Sequence, residues 1–173
     1  IDLQRAESNA LKLTVTQCEL DMWLKRKMES FLPLAGQKKI TLSFEDIGRR
    51  VMAWFDTAKM DTIFDNLISN AIKYSPEGST VSYADDTSWG FRVSDNGIGI
   101  PVKARKHLFK RYYRADNAIN TSETGSGLGL LITRSLVSLM QGEICFKSEE
   151  GKGSTFVLRF KNGNQHFLPE EIV

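Results

Sequence analysis

The sequence predicts an α/β fold, a two-layer sandwich with three main helices on one face of a mixed sheet. Three stretches repeat apolar residues every three to four positions, while shorter stretches around them alternate apolar with polar residues. With 173 residues, 41% of them hydrophobic and 25% charged, the chain can bury one sizeable core, so one principal domain is expected.

The elements follow in order. The alternating runs 12–16 (KLTVT), 39–45 (KITLSFE) and 50–55 (RVMAWF) predict strands flanking a helix over 19–35, with Leu20, Trp23, Leu24, Met28, Phe31 and Leu32 on its buried stripe. A second helix is predicted over 57–74, entered through Asp56 as N-cap and stopped by Ser75-Pro76-Glu77-Gly78. Strands over 79–85 and 89–95 come next, around a short turn. After Asp95 the periodicity breaks for some thirty residues into a Gly-rich turn, a basic helical patch and a polar loop. A third helix over 127–141 should carry Leu128, Leu131, Ile132, Leu136 and Leu139 inward, and EICFKS and STFVLRF form closing strands around a turn at 149–153. The organisation expected is a domain over 12–161, preceded by residues 1–11 as the end of a bundle helix and followed by 162–173 as a linker, so the chain reads as an excised fragment.

The formal charge of +2 is too small to imply nucleic acid or anionic lipid as a partner. Cys18 and Cys145 lie far apart without a CxxC pattern and read as reduced, packed thiols, which fits a cytoplasmic setting. The longest apolar stretch is interrupted by Thr133, Arg134 and Ser138, so no membrane span is expected.

Four motifs carry chemistry. In FDNLISNAIKYSP, Asn66 and Asn70 stand four apart and share one helix face, although asparagine costs up to roughly 0.7 kcal/mol against alanine in a helix interior. They read either as a buried pair satisfying backbone or as amide oxygens for a hard cation, with Lys73 offering an ammonium to phosphate and Tyr74 an aromatic face to a base. In VSDNGIGIP, Asp95 ends an apolar strand and is followed by Gly97 and Gly99. The stretch is a tight turn or a pocket where a carboxylate among Ile98 and Ile100 awaits a donor such as an exocyclic amine. TGSGLGL places Gly125, Gly127 and Gly129 at the mouth of an amphipathic helix, for phosphate or for close helix packing. It lacks the preceding strand of a dinucleotide fingerprint and the Gly-Lys-Ser/Thr of a P-loop. KARKHLFKRYYR interleaves cations with aromatics. It is short for a nucleic-acid reader and accompanies no reader motif, so it is a solvated face or supplies one or two cations to a triphosphate.

NLISNAIKY, DNGIGIP, LFKRYYRAD and GSGLGL, in that order and followed by GKGSTF, resemble the nucleotide-binding domain of bacterial sensor histidine kinases, in the GHKL ATP-binding superfamily. The similarity runs from about Leu11 to Phe160. It implies that family's α/β sandwich with a mobile ATP lid over about 101–126, and ATP and Mg²⁺ as cofactors. By resemblance Asn70 is the Mg²⁺ ligand and Asn66 lines the phosphate site. Lys73 and Arg114 neutralise phosphate, Tyr74 and Tyr113 flank the nucleotide, and Asp95 reads adenine N6. Gly97, Gly99, Ile100, Gly125, Gly127, Leu128 and Gly129 complete the nucleotide-binding set. Hydrolysing relatives have a glutamate where this chain has Asn66, so the expected reaction is phosphoryl transfer to a histidine. Neither His107 nor His166 is followed by an acid, as that phosphoacceptor is, so the fragment should bind ATP without phosphorylating itself. The implied partners are a phosphoacceptor helical domain of the parent and a response regulator or fused receiver, not nucleic acid. The parent is expected to be a homodimer anchored in the inner membrane with this module in the cytoplasm, and the fragment a monomer.

Overall fold

The computed structural model describes residues 12–45, 50–85 and 90–173; the expected helix end at 1–11 and the turn between the fourth and fifth strands lie outside them. Among the described residues the strands are β1 (Thr16–Glu19), β2 (Thr41–Glu45), β3 (Met52–Phe55), β4 (Thr80–Asp85), β5 (Gly90–Asp95), β6 (Glu143–Glu149) and β7 (Gly153–Arg159). The helices are α1 (Leu20–Gln37), α2 (Thr57–Tyr74), α3 (Val102–Arg105), α4 (Asp116–Ile119) and α5 (Gly129–Leu139). The main sheet runs β2-β4-β5-β7-β6, with β2 parallel to β4 and the other neighbours antiparallel. The mixed sheet with its long helices is the expected class. β1 and β3, however, pair with each other in a separate two-stranded sheet.

Register explains where the core sits. Along β5, Phe91 and Val93 are buried, and their partners on β7 are Leu158 and Phe156. The rows continue onto β6 at Ile144 and Phe146. The next row along the same face is Asp95, Ser154 and Ser148, since successive same-face residues lie two apart. The covered face of the sheet thus turns from hydrocarbon to carboxylate and hydroxyls within one row. Above it, Trp23 of α1 meets Phe55 and Phe64 edge-on, each with centroids 5.5 Å apart. Its indole N–H donates to Asp61 Oδ1 at 3.1 Å, so even the largest core residue has its polar atom satisfied.

The second helix has the expected bounds because both ends are chemically marked. Asp56 Oδ1 accepts from the N–H of Lys59 at 3.1 Å, and Pro76 lies just beyond the final turn. Its inward stripe is Met60, Ile63, Phe64, Leu67, Ile68, Ala71 and Ile72.

Elsewhere several expectations are corrected. The alternation in 12–16 does mark extended, core-facing backbone, with Leu13 and Val15 buried, but the strand proper begins at Thr16. Val15 instead bridges the chain's other end, its N–H donating to Glu171 O at 2.6 Å and its carbonyl accepting from Val173 N at 2.9 Å. Within residues 162–173, expected as a linker, Phe167 is buried in the core, while Leu168 and Val173 are exposed. Leu32 is exposed, and Ala35 takes its place on the buried stripe of α1. In α5 the buried residues are Thr133, Leu136 and Val137, with Met140 just beyond, whereas Ile132 is exposed. That helix is apolar on most sides, so periodicity alone could not set its phase. Cys145 is exposed on edge strand β6 and is not a packed thiol; Cys18 is partly buried. No helix among the described residues is long and apolar enough to cross a membrane.

Asp56 is only 4% exposed and also accepts from Thr14 N at 2.8 Å and pairs with Lys59 Nζ at 3.1 Å. Asp56→Ala should therefore cost about 1 to 3 kcal/mol, seen as a lower urea midpoint with an unchanged slope. An unshifted midpoint would show that water replaces all three donors without loss.

Candidate functional site

A cavity of about 260 Å³ opens where the polar row of the sheet meets the last turns of α2 and the start of α5. Of the residues singled out from the sequence, Asn66, Asn70, Lys73, Tyr74, Asp95, Gly99, Ile100, Tyr113, Arg114, Gly125, Gly127 and Gly129 line it. Gly97 and Leu128 are not among the lining residues.

Asn66 links two helices. Its Nδ2 donates to Gly129 O at 3.2 Å and to Thr133 Oγ1 at 3.3 Å. A carbonyl can only accept, so the amide nitrogen must be the atom facing α5. Thr133 is fully buried on that face, which is why a polar residue interrupts the apolar stripe there. One turn on, Asn70 lines the cavity, and Lys73 places its Nζ 5.2 Å from the centroid of the Tyr74 ring. No carboxylate pairs with Lys73 among the described residues.

Asp95 is largely withdrawn from water. Its Oδ1 accepts from Gly97 N at 2.8 Å and Ser154 N at 3.3 Å, and among the described residues no donor reaches Oδ2. Burial raises its pKa from the ordinary 3.8 to about 6, with the two backbone N–H groups opposing the rise. A second donor, from a ligand, would relieve the penalty.

Two glycines are required by backbone packing. At Gly99, φ is +64° and a Cβ would come within 2.0 Å of Glu149 O, because the loop lies on the β6–β7 turn. At Gly127, φ is +70° and a Cβ would sit 2.7 Å from the carbonyl carbon of Tyr112, itself at φ 58°. These contacts hold the cavity walls together. Gly125, by contrast, has only the tips of Lys73 and Tyr74 near it, Nζ standing 3.0 Å from where a Cβ would be.

The segment between Pro101 and Ser126, the expected lid, contributes Leu108, Asn117 and Ser126 to the cavity wall besides Tyr113, Arg114 and Gly125. Its basic run is less of a cationic face than the sequence implies. Lys103 pairs with Asp116 at 2.7 Å, and Arg105 turns inward to the carbonyls of Ile100 and Ser148. Arg114 donates through Nη2 to Ala118 O at 2.9 Å and Glu123 O at 2.8 Å, while its buried Nε finds no partner among the described residues. Spacing alone missed Asn117, whose Nδ2 holds Gly99 O at 2.9 Å, and Ser154 and Thr133, which reach the site from other elements. Ser154 comes to the site through the pairing of β7 with β5, which alternation in the sequence does not reveal.

Among the described residues no group of three or more His, Cys, Asp or Glu could hold a metal. A hard cation here would draw its ligands from a bound molecule and water, with Asn70 as the protein's amide oxygen. Mg²⁺ is commonly held this way, and the residues fit it. Eleven-residue α5 starts at the cavity without a side-chain cap, leaving N–H groups suited to an anion.

Comparison with known proteins agrees with this geometry. Residues 55–164 match the family described as histidine kinase-, DNA gyrase B-, and HSP90-like ATPase. Over 162 residues the chain is 32% identical to sensor histidine kinase RcsC of Escherichia coli strain K12, covering 92% of this chain and 17% of RcsC. It is 42% identical over 113 residues to sensor histidine kinase WalK of Bacillus subtilis strain 168, covering 61% of this chain and 18% of WalK. The chain thus spans under a fifth of the length of these relatives. Among solved structures, full-length ShkA in complex with AMPPNP superposes with a TM-score of 0.75 at 23% identity, covering 88% of this chain and 33% of that one. Histidine kinase AdeS of Acinetobacter baumannii gives 0.72 at 20%, covering 93% and 74%. At these identities the structures establish the fold.

The Asp95 carboxyl carries a pH signature. Because its folded pKa lies above its unfolded value, the folded state holds the extra proton between about pH 4 and 6, and stability falls as pH rises through that window. Asp95→Asn keeps an oxygen for both backbone donors and should raise stability at pH 7 to 8, by on the order of 2 kcal/mol, while flattening that fall. Urea midpoints across pH 3.5 to 8 measure it; parallel curves for the two proteins would refute a desolvated carboxyl.

Proposed function

Since the chain belongs to the histidine kinase-, DNA gyrase B- and HSP90-like ATPase family, we propose that its cavity binds Mg-ATP as the catalytic domain of a protein-histidine kinase in two-component signalling. The observation that carries this reading is Asp95, a desolvated carboxylate with one oxygen satisfied by backbone and the other open. Adenine N6 is a donor of the right kind for it. Tyr74 and Tyr113 flank the base, and Ile100 supports it.

At the other end Lys73 and the N-terminus of α5 meet the phosphates, and Asn70 would give an oxygen to Mg²⁺, whose charge would offset that of the phosphoryl oxygens. Arg114 joins them by giving up one of its two lid carbonyls. Asn66 decides the kind of acceptor. Its nitrogen is committed to α5, and an amide oxygen takes no proton at neutral pH, so Asn66 offers no base to activate water. A neutral imidazole needs none. The γ-phosphorus bonds to an imidazole nitrogen of a phosphoacceptor domain as the bond to ADP oxygen breaks, and the phosphoryl group passes on to a receiver.

Calorimetry with ATP and GTP, with and without Mg²⁺, tests the reading. Asp95→Asn should weaken ATP by on the order of 1.5 to 3 kcal/mol and narrow the preference over GTP; undiminished affinity would put the base elsewhere. Asn70→Ala should lose most of the Mg²⁺ dependence of triphosphate binding, and full dependence in that variant would remove Asn70 from the metal. Adding the parent's phosphoacceptor domain and labelled ATP should phosphorylate its histidine. Unlabelled acceptor beside protein that binds ATP would leave a nucleotide-gated module without transferase activity.

A further inference from the structure

One charge reaches from the body of the fold to the second half of the lid, which Asn117 also ties to the loop after Asp95. Lys38 follows α1, and its ammonium has three N–H groups to place. It reaches three acceptors: Ile72 O at 3.3 Å, Lys73 O at 2.6 Å and Glu123 Oε1 at 2.7 Å. The first two belong to the last turn of α2, where orphan carbonyls and the helix dipole favour a cation. The third belongs to the lid. Glu123 is fixed from two further directions, its N–H donating to Thr121 Oγ1 at 3.3 Å and its carbonyl accepting from Arg114 Nη2 at 2.8 Å. Two residues on, Gly125 lies against Lys73 Nζ.

An ion pair between two freely moving surface side chains contributes little, because ordering both offsets the attraction. Here Lys38 is already held by two helix carbonyls, and the partners are only 34% and 31% exposed, so most of that ordering precedes the pairing. The same ammonium touches the turn that carries Lys73 and the loop that carries Gly125.

We propose that Lys38 and Glu123 are positioning residues for the nucleotide: their contact pins the lid's second half to the C-terminal end of α2, holds the glycine loop over Lys73 and slows release of bound nucleotide. This rests on the cavity being a nucleotide site. The pair touches no reacting atom. It acts through Lys73 and Arg114, whose surroundings it sets.

The test combines stopped-flow release of the fluorescent analogue mant-ATP, chased by excess ATP, with amide hydrogen exchange over 116–126 in nucleotide-free protein. Glu123→Ala removes no helix cap and should raise the dissociation rate roughly three- to tenfold, with association changed less than about twofold, an unchanged melting temperature and faster exchange in the lid. Lys38→Arg, which keeps a cation against the same carbonyls, should release nucleotide at close to the unsubstituted rate. Release and exchange both unaltered in Glu123→Ala would overturn the anchor. Unsubstituted protein that binds no mant-ATP with Mg²⁺ would instead overturn the nucleotide reading, and the exchange comparison would then decide the anchor alone.

Discussion

A carboxylate drawn out of water at the end of an apolar sheet face is the constraint on which this structure turns. Asp95 occupies the first row past Phe91 and Val93 on the covered side of β5, flanked by Ser154 and Ser148. Among the described residues, backbone donors meet only one of its oxygens, and burial raises its pKa to about 6. An isolated fold would be more stable without it, since a lone buried charge is costly. The surroundings nonetheless over-determine its position, through the turn at Gly97 and the strand that supplies Ser154 N. Stability is given up at this point for a carboxylate that lines a cavity.

The walls around that group are held by polar contacts between elements distant in sequence. Asn66 ties α2 to α5, Asn117 ties the lid to the loop after Asp95, and Arg105 ties the lid to β6. The glycines at 99 and 127 belong to the same scheme, for they let backbone meet backbone where a side chain would separate the walls. Glycine-rich loops at such sites are readily credited to ligand contact alone. Here two of them are already required by the protein's own packing.

The lid shows how context redirects charge. Lys103, Arg105 and Arg114 look alike in sequence, yet one pairs with a neighbouring carboxylate and two turn to backbone carbonyls. A run of cations therefore states how much charge is available and leaves open where it points. Each acceptor is a carbonyl or carboxylate, and its place depends on how the loop folds back on itself and against β6.

Local chemistry was legible wherever it is self-contained. Asp56 and Pro76 mark the ends of α2, alternation marked the strands, and four motifs in order marked the family and gathered most of the cavity wall. Pairing was not legible, because alternation reports that a segment is extended and half-buried without naming its partner. Val15 thus joined the far end of the chain, and β1 joined β3 outside the main sheet. The phase of α5 was hidden for a related reason. A helix apolar on most sides acquires a buried face only when another helix is laid against it, and Asn66 with Gly129 and Thr133 selects which. Sequence by itself determined the fold class, the ends of the central helix and the candidate ligand set. Tertiary structure alone decided which groups are withdrawn from water, because desolvation is a property of the assembled neighbours and of no single residue.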